Sequence, residues 1–281
     1  MPIAKIRGIH LNYEVLGNEG PWIALSPGGR RGVEGIKTIA QNLSAKGYRI
    51  LIFDRRNCGA SDIAITGGGS ETDEWADALY QLTSQLGIQP CIVGGGSSGC
   101  RTAVVYAIRH AKAVSGLLIW RITGGAYAAL SLGVEYYSEY IKEAGLGGMA
   151  AICKTEFFSE RIRENPRNLE ILMQMDPAFF VEIMVRWMCA FVSDANEPII
   201  GASADQLGNI KVPVLMFCGN DRHHAPEACI EMSKILADSE LIDLGMPLFD
   251  ADAAPPELWE EQVPFMVDKC HEFIQRRIIV V

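Results

Sequence analysis

Histidine is scarce in this chain of 281 residues: there are five, and none stands between His224 and His271. The eight cysteines include no C-x-x-C pair, so the usual zinc and thiol-redox spacings are missing. Cys91 and Cys218 lie inside apolar runs and read as small buried hydrophobes, and a reducing, cytoplasmic setting is the expectation. Positive charge is in deficit, with 25 Lys and Arg against 34 Asp and Glu, a net charge of −9. An acidic surface repels phosphates and anionic lipid, so neither nucleic acid nor a membrane is expected as a partner. No apolar run is long enough to cross a bilayer, and Met1-Pro2-Ile3-Ala4-Lys5 lacks the apolar stretch of a signal peptide. Repeats and low-complexity segments are absent. Disorder is excluded by a hydrophobic share of 49%, enough for a large core.

The apolar pattern alternates between short runs and helical periods. Ile6–Tyr13 and Tyr13–Leu16 alternate as an antiparallel hairpin would, and Trp22-Ile23-Ala24-Leu25 is a short strand ending at the breaker cluster Ser26-Pro27-Gly28-Gly29. Val33–Lys46 has helical spacing and stops at Gly47. Tyr48–Phe53 reads as a strand, Thr72–Leu86 as a helix capped by Thr72, Cys91–Val93 as a strand, Ser98–Ala111 as a helix and Val114–Trp120 as a strand. Strands alternating with helices predict a mostly parallel sheet with helices on both faces. The alternation stops over 126–205, which is helical and rich in Met, Tyr and Phe. It resumes with a strand at Val212–Cys218, a helix at Pro226–Ala237, a strand at Ser239–Leu244 and a helix at Glu257–Arg276. The expected organisation is an α/β core of residues 1–125 and 206–281 interrupted by a helical cap of residues 126–205.

Gly95-Gly96-Ser97-Ser98-Gly99 fits G-x-S-x-G between a strand and a helix. Such a turn is too tight for flanking side chains and leaves the serine at the C-terminal edge of the strand. The helix opening at Ser98 aims its free amides and positive dipole at the same spot, where they can hold a developing oxyanion. The second amide is expected from the Gly28 and Gly29 loop. These features resemble the α/β-hydrolase superfamily of esterases, lactonases and C–C hydrolases. The resemblance runs through the hairpin, the Ser26–Gly29 loop, Asp54-Arg55-x-x-Cys58-Gly59-x-Ser61, the Ser97 elbow, the helical insertion and the Gly219-Asn220-Asp221 loop. It implies a Ser-His-acid triad acting on a small molecule without a cofactor or metal, with the acid after the first strand past the cap and the histidine after the last strand. Family members include homodimers, so a homodimer is compatible with the resemblance.

Asp221 occupies the expected acid position, but no histidine follows the last strand. His223 and His224, just past Asp221, are then the candidates for the general base. His224 is preferred because it is nearer the following helix. The acid partner is Asp221, or Asp250 or Asp252 from the loop that holds the family histidine. His271 sits among Phe265, Met266 and Phe273 and reads as a packing residue, while His10 and His110 lie away from the expected pocket. Arg30 and Arg31 follow the oxyanion glycines, Arg101 follows Ser97 and Arg121 ends the neighbouring strand. Guanidinium pairs bidentately with carboxylate, so these predict an acidic substrate. Tyr136, Tyr137, Met184 and Trp187 of the cap suit an aromatic or apolar acyl group. Two other readings stay open. The same motif in a lyase or ligand-binding member would involve no covalent step. Gly94-x-Gly96-x-x-Gly99 also meets the dinucleotide fingerprint, with Arg121 available to a 2′-phosphate.

Overall fold

The computed structural model describes residues 1–279. An eight-stranded sheet runs through the molecule in the order β1-β2-β4-β3-β5-β6-β7-β8. Its strands are β1 (Ile3–Ile6), β2 (Ile9–Leu16), β3 (Trp22–Ser26), β4 (Arg49–Phe53), β5 (Cys91–Gly96), β6 (Val114–Trp120), β7 (Val214–Phe217) and β8 (Ser239–Ile242). The first two pair antiparallel around a turn at Arg7 and Gly8, and β2 joins β4 antiparallel; every other pairing is parallel. The fold class is the expected one. Strands β5 and β7 are buried along their whole length, as a parallel sheet covered on both faces requires.

Two cores flank the sheet. On one face α2 (Glu71–Gln85), α3 (Ser98–Arg109), α9 (Ala204–Gly208) and α10 (Pro226–Ile235) pack Leu79, Val104, Leu207 and Met232 against it. On the other, α1 (Lys37–Ala45) and α12 (Val263–Arg277) supply Ile39, Leu43, Phe273 and Ile274. Between β6 and β7 lie α4 (Gly125–Gly133), a π-helical turn over Val134–Ser138, α5 (Glu139–Ile152), α6 (Glu156–Glu164), α7 (Arg167–Met173) and α8 (Pro177–Ser193). These helices share a third core of their own, with Phe158, Phe180, Trp187 and Phe191, closed from the sheet side by Ile63 and Ile65.

Several boundaries differ from the sequence reading. The helix expected from Val33 opens as a 3₁₀ turn, Val33–Ile36, before α1 begins. Helix α2 is capped by Ser70, not Thr72. The Ser70 hydroxyl accepts the Asp73 amide at 3.0 Å while Asp73 returns a bond to the Ser70 amide, a capping box that Thr72 could not form. The last helix is two, α11 (Pro256–Glu260) and α12, with Pro264 at the start of the second, where it donates no N–H. No helix among the described residues is long and apolar enough to cross a membrane.

Candidate active site

Ser97 sits between β5 and α3 with φ 57° and ψ −121°, a conformation that costs a serine about 1–3 kcal/mol. Glycines make the corner possible. A methyl group on Gly95 or Gly99 would run into the Ser26 carbonyl, and one on Gly96 into the Trp120 indole. The Ser97 amide is tied to the carbonyls of Trp120 and Arg121 at 3.1 Å, so the backbone is held and the hydroxyl faces outward, partly exposed. Gly28 lies against it: a methyl there would come within 3.4 Å of the Ser97 Cβ. The Ser98 amide is the first of α3 and so has no intrahelical acceptor.

The loop after β7 carries the rest. His224 Nε2 is 2.9 Å from Ser97 Oγ, and His224 Nδ1 is 2.6 Å from Asp221 Oδ1. Asp221 Oδ1 also accepts the His224 amide at 2.9 Å, which locks residue 224 onto residue 221. The second oxygen, Oδ2, accepts the Ala254 amide at 2.9 Å and Arg121 Nη2 at 3.1 Å. Burial strips water from the imidazolium and lowers the His224 pKa to about 4, against the pull of Asp221. Burial alone would raise the Asp221 carboxyl; its hydrogen bonds from His224 and Ala254 and the charge of Arg121 outweigh that and bring it to about 2. At neutral pH the pair is therefore a carboxylate beside a neutral imidazole, the form that can accept a hydroxyl proton.

The loop after β8 buttresses this arrangement. The Arg222 and His223 amides donate to the Ala251 and Asp252 carbonyls at 3.0 Å, Phe249 N–H donates to Asn220 O at 2.7 Å, and Trp259 Nε1 donates to Asn220 Oδ1 at 3.2 Å. Where the resemblance implies a histidine, this chain has a scaffold for the neighbouring loop.

The structure thus brings Ser97, His224, Asp221, Gly28 and Ser98 together and sends other candidates elsewhere. His223 turns to Ser131, 3.0 Å from its Nε2, and does not meet Ser97. Asp250 is exposed and pairs with Arg222, and Asp252 takes the Tyr127 hydroxyl; neither touches His224. Gly29 has φ 52° and its carbonyl accepts from Arg55. Arg30 is buried, with its terminal nitrogens on Glu71 at 2.7 Å and the Tyr136 carbonyl at 2.9 Å, so it is spent on the fold. Arg121 is spent on Asp221, and Arg31 is exposed. Trp187 is fully buried in the helical core, with no partner for its Nε1. His271 meets the Tyr48 hydroxyl at 2.8 Å in the α12 packing, and His10 and His110 pair with Asp62 and Asp77. The Arg121 contact with Asp221 escaped the sequence reading; a cation ending the strand beside the acid's strand was its only signal.

Residues 27–119 match a family model described as the alpha/beta hydrolase fold. Two curated relatives are 2-hydroxy-6-oxononadienedioate/2-hydroxy-6-oxononatrienedioate hydrolases. The chain is 31% identical to one from Pseudomonas putida over 42% of each chain. It is 26% identical to one from Klebsiella pneumoniae over 83% of this chain and 81% of that one. The first match therefore spans about two fifths of the relative's length. Among solved structures, the enol-lactonase from Burkholderia xenovorans LB400 superposes with a TM-score of 0.63 at 22% identity, over 98% of this chain and 100% of the other. Family model, strand order and structural neighbours agree that the chain has the α/β-hydrolase fold.

Proposed function

We propose that the chain is a serine hydrolase that cleaves a small ester, lactone or ring-cleavage C–C bond, in a substrate with acidic or aromatic character. Ser97 Oγ attacks the carbonyl and His224 Nε2 takes its proton. Asp221 orients the imidazole and stabilises its charge. The amides of Gly28 and Ser98 hold the oxyanion; losing one such donor commonly slows the reaction about 10²–10³-fold. The imidazolium then returns its proton to the leaving group, and water releases the acyl group by the same route. Residues 126–205 serve as the cap over this centre, and the eight free cysteines, six of them buried, suit a cytoplasmic setting. The named substrates of the similar dienedioate hydrolases and enol-lactonase support this range.

The observation that carries the reading is the unbroken relay of 2.9 Å and 2.6 Å from Ser97 through His224 to Asp221. A fluorophosphonate probe should label Ser97 in the wild-type chain, located by peptide mass spectrometry, and leave Ser97→Ala unmodified. A wild-type chain that stays unlabelled while folded would favour a lyase or binding role and refute this reading.

A further inference from the structure

Among the described residues, ten buried side-chain polar atoms have no hydrogen-bond partner; all but Glu14 Oε2 and Ser26 Oγ are N–H donors. A buried donor left without an acceptor calls for an explanation, and an absent anion or water is one. Five arginines are buried: Arg30, Arg55, Arg56, Arg101 and Arg161. Arg30, Arg56 and Arg161 each have a carboxylate, from Glu71, Glu74 and Glu160 respectively. Arg55 and Arg101 have none.

The two lie where α2, α3 and the helical insertion meet. The carboxylate whose charge acts on both is Glu71, and it is already taken by Arg30 at 2.7 Å, the Tyr137 hydroxyl at 3.1 Å and Asn57 at 3.2 Å. Arg55 donates only to the Gly29 carbonyl and stacks 4.1 Å over Trp75, leaving Nε and Nη1 free. Arg101 donates to Thr72 Oγ1 at 3.2 Å and Ser98 Oγ at 2.9 Å and lies 4.6 Å over Phe191, leaving Nε free. Ser98 is the residue after the serine, so this surplus of charge adjoins the reacting centre. Burial lowers the pKa of both guanidinium groups, and the pull of Glu71 does not offset it.

We propose that Arg55 and Arg101 form the receptor for a carboxylate group of the substrate, remote from the carbonyl that Ser97 attacks. The inference rests on that reading of Ser97. A carboxylate brings two oxygens and about four acceptor sites, matching the free donors in number and sign.

Titration calorimetry of Ser97→Ala with glutarate tests the receptor without catalysis. Glutarate should bind, glutaramide should bind at least ~10²-fold more weakly because it cannot neutralise the cations, and Arg55→Met and Arg101→Met in the same background should abolish the preference. The methionine variants should also melt no lower than their parent when ligand-free, since replacing an uncompensated buried charge with an apolar chain relieves its desolvation. Absence of glutarate binding, or binding unchanged in both variants, overturns the proposal. If the variants fail to fold, the glutarate and glutaramide comparison decides alone. Wild-type turnover of 4-nitrophenyl hydrogen glutarate and 4-nitrophenyl butyrate separates this inference from the one beneath it. Turnover with no preference for the acid overturns the receptor and leaves the Ser97 reading intact. Glutarate binding by a chain that hydrolyses neither ester does the reverse.

Discussion

Replacing Asp221 by asparagine changes one atom and should disable the centre. The carboxylate accepts four hydrogen bonds on two oxygens: His224 Nδ1 and the His224 amide on Oδ1, the Ala254 amide and Arg121 on Oδ2. An asparagine keeps one oxygen and must aim its NH₂ at one of these pairs. Aimed at Ala254 and Arg121, it strands two donors. Aimed at His224, it strands only the His224 amide, because the imidazole can move its proton to Nε2 and accept at Nδ1. The second arrangement is the cheaper by one stranded donor, worth about 1–3 kcal/mol. It also leaves Nε2 protonated and unable to take the proton of Ser97. The same acid-to-amide change in a serine protease lowers kcat about 10⁴-fold, equivalent to ~5 kcal/mol of transition-state stabilisation. Stopped-flow measurement of the acylation burst with 4-nitrophenyl acetate reads this step directly. Acylation by Asp221→Asn within about tenfold of wild type would refute the tautomer argument.

The remaining expectations concern the base, its protonation and the corner that presents the serine. His224→Ala should lose acylation by about 10³-fold or more, whereas His223→Ala, which gives up only the Ser131 contact, should stay near wild type; equal losses in the two variants would contradict the assignment. A base with its pKa held near 4 is neutral over the physiological range, so kcat/KM should fall only as pH drops through about 4; an acid limb centred near 6.5 would show the imidazole to be far wetter than it is here. The same depressed pKa means that the unfolded chain takes up a proton the folded chain refuses. Stability should therefore be fully present above about 6.5 and decline as pH falls toward 4, as followed by urea midpoints. Ser70→Ala should cost about 1 kcal/mol by removing the α2 cap without changing turnover. Gly99→Ala should abolish soluble expression or activity, because its methyl group meets the Ser26 and Pro27 carbonyls and neither is the end of a flexible side chain.

The strands and the elbow were legible because they rest on local rules. Fully apolar runs mark strands buried on two faces, and three glycines around Ser97 mark a corner that only glycine fits. The choice between His223 and His224 was not legible from the proximity of a helix. It is decided by Asp221 accepting the amide of the third residue on, the geometry of an N-cap aspartate; an Asp-x-x-His pattern was the available signal. Asp250 is a candidate on sequence because its loop holds the histidine in the superfamily, yet that loop turns its backbone toward residues 220–223 and its carboxylate toward solvent. The arginines were legible as a cluster but not by depth. A guanidinium next to a glycine loop reads as surface charge, and whether it is covered depends on helices more than a hundred residues away, such as the π-helical turn that sets the Tyr136 carbonyl and the Tyr137 hydroxyl beside Arg30 and Glu71.

In the proposed mechanism acid and base are three residues apart on one loop, which changes how the centre can fail. In an enzyme whose two groups come from separate loops, either can drift and spoil their alignment. Here any displacement of residues 219–224 carries both, so the imidazole keeps its tautomer and its partner while its distance from Ser97 changes. The centre behaves as a hinged tool with a preset edge, and a transplant of residues 219–224 onto another sheet would have to carry the 249–254 loop and Arg121 that brace them.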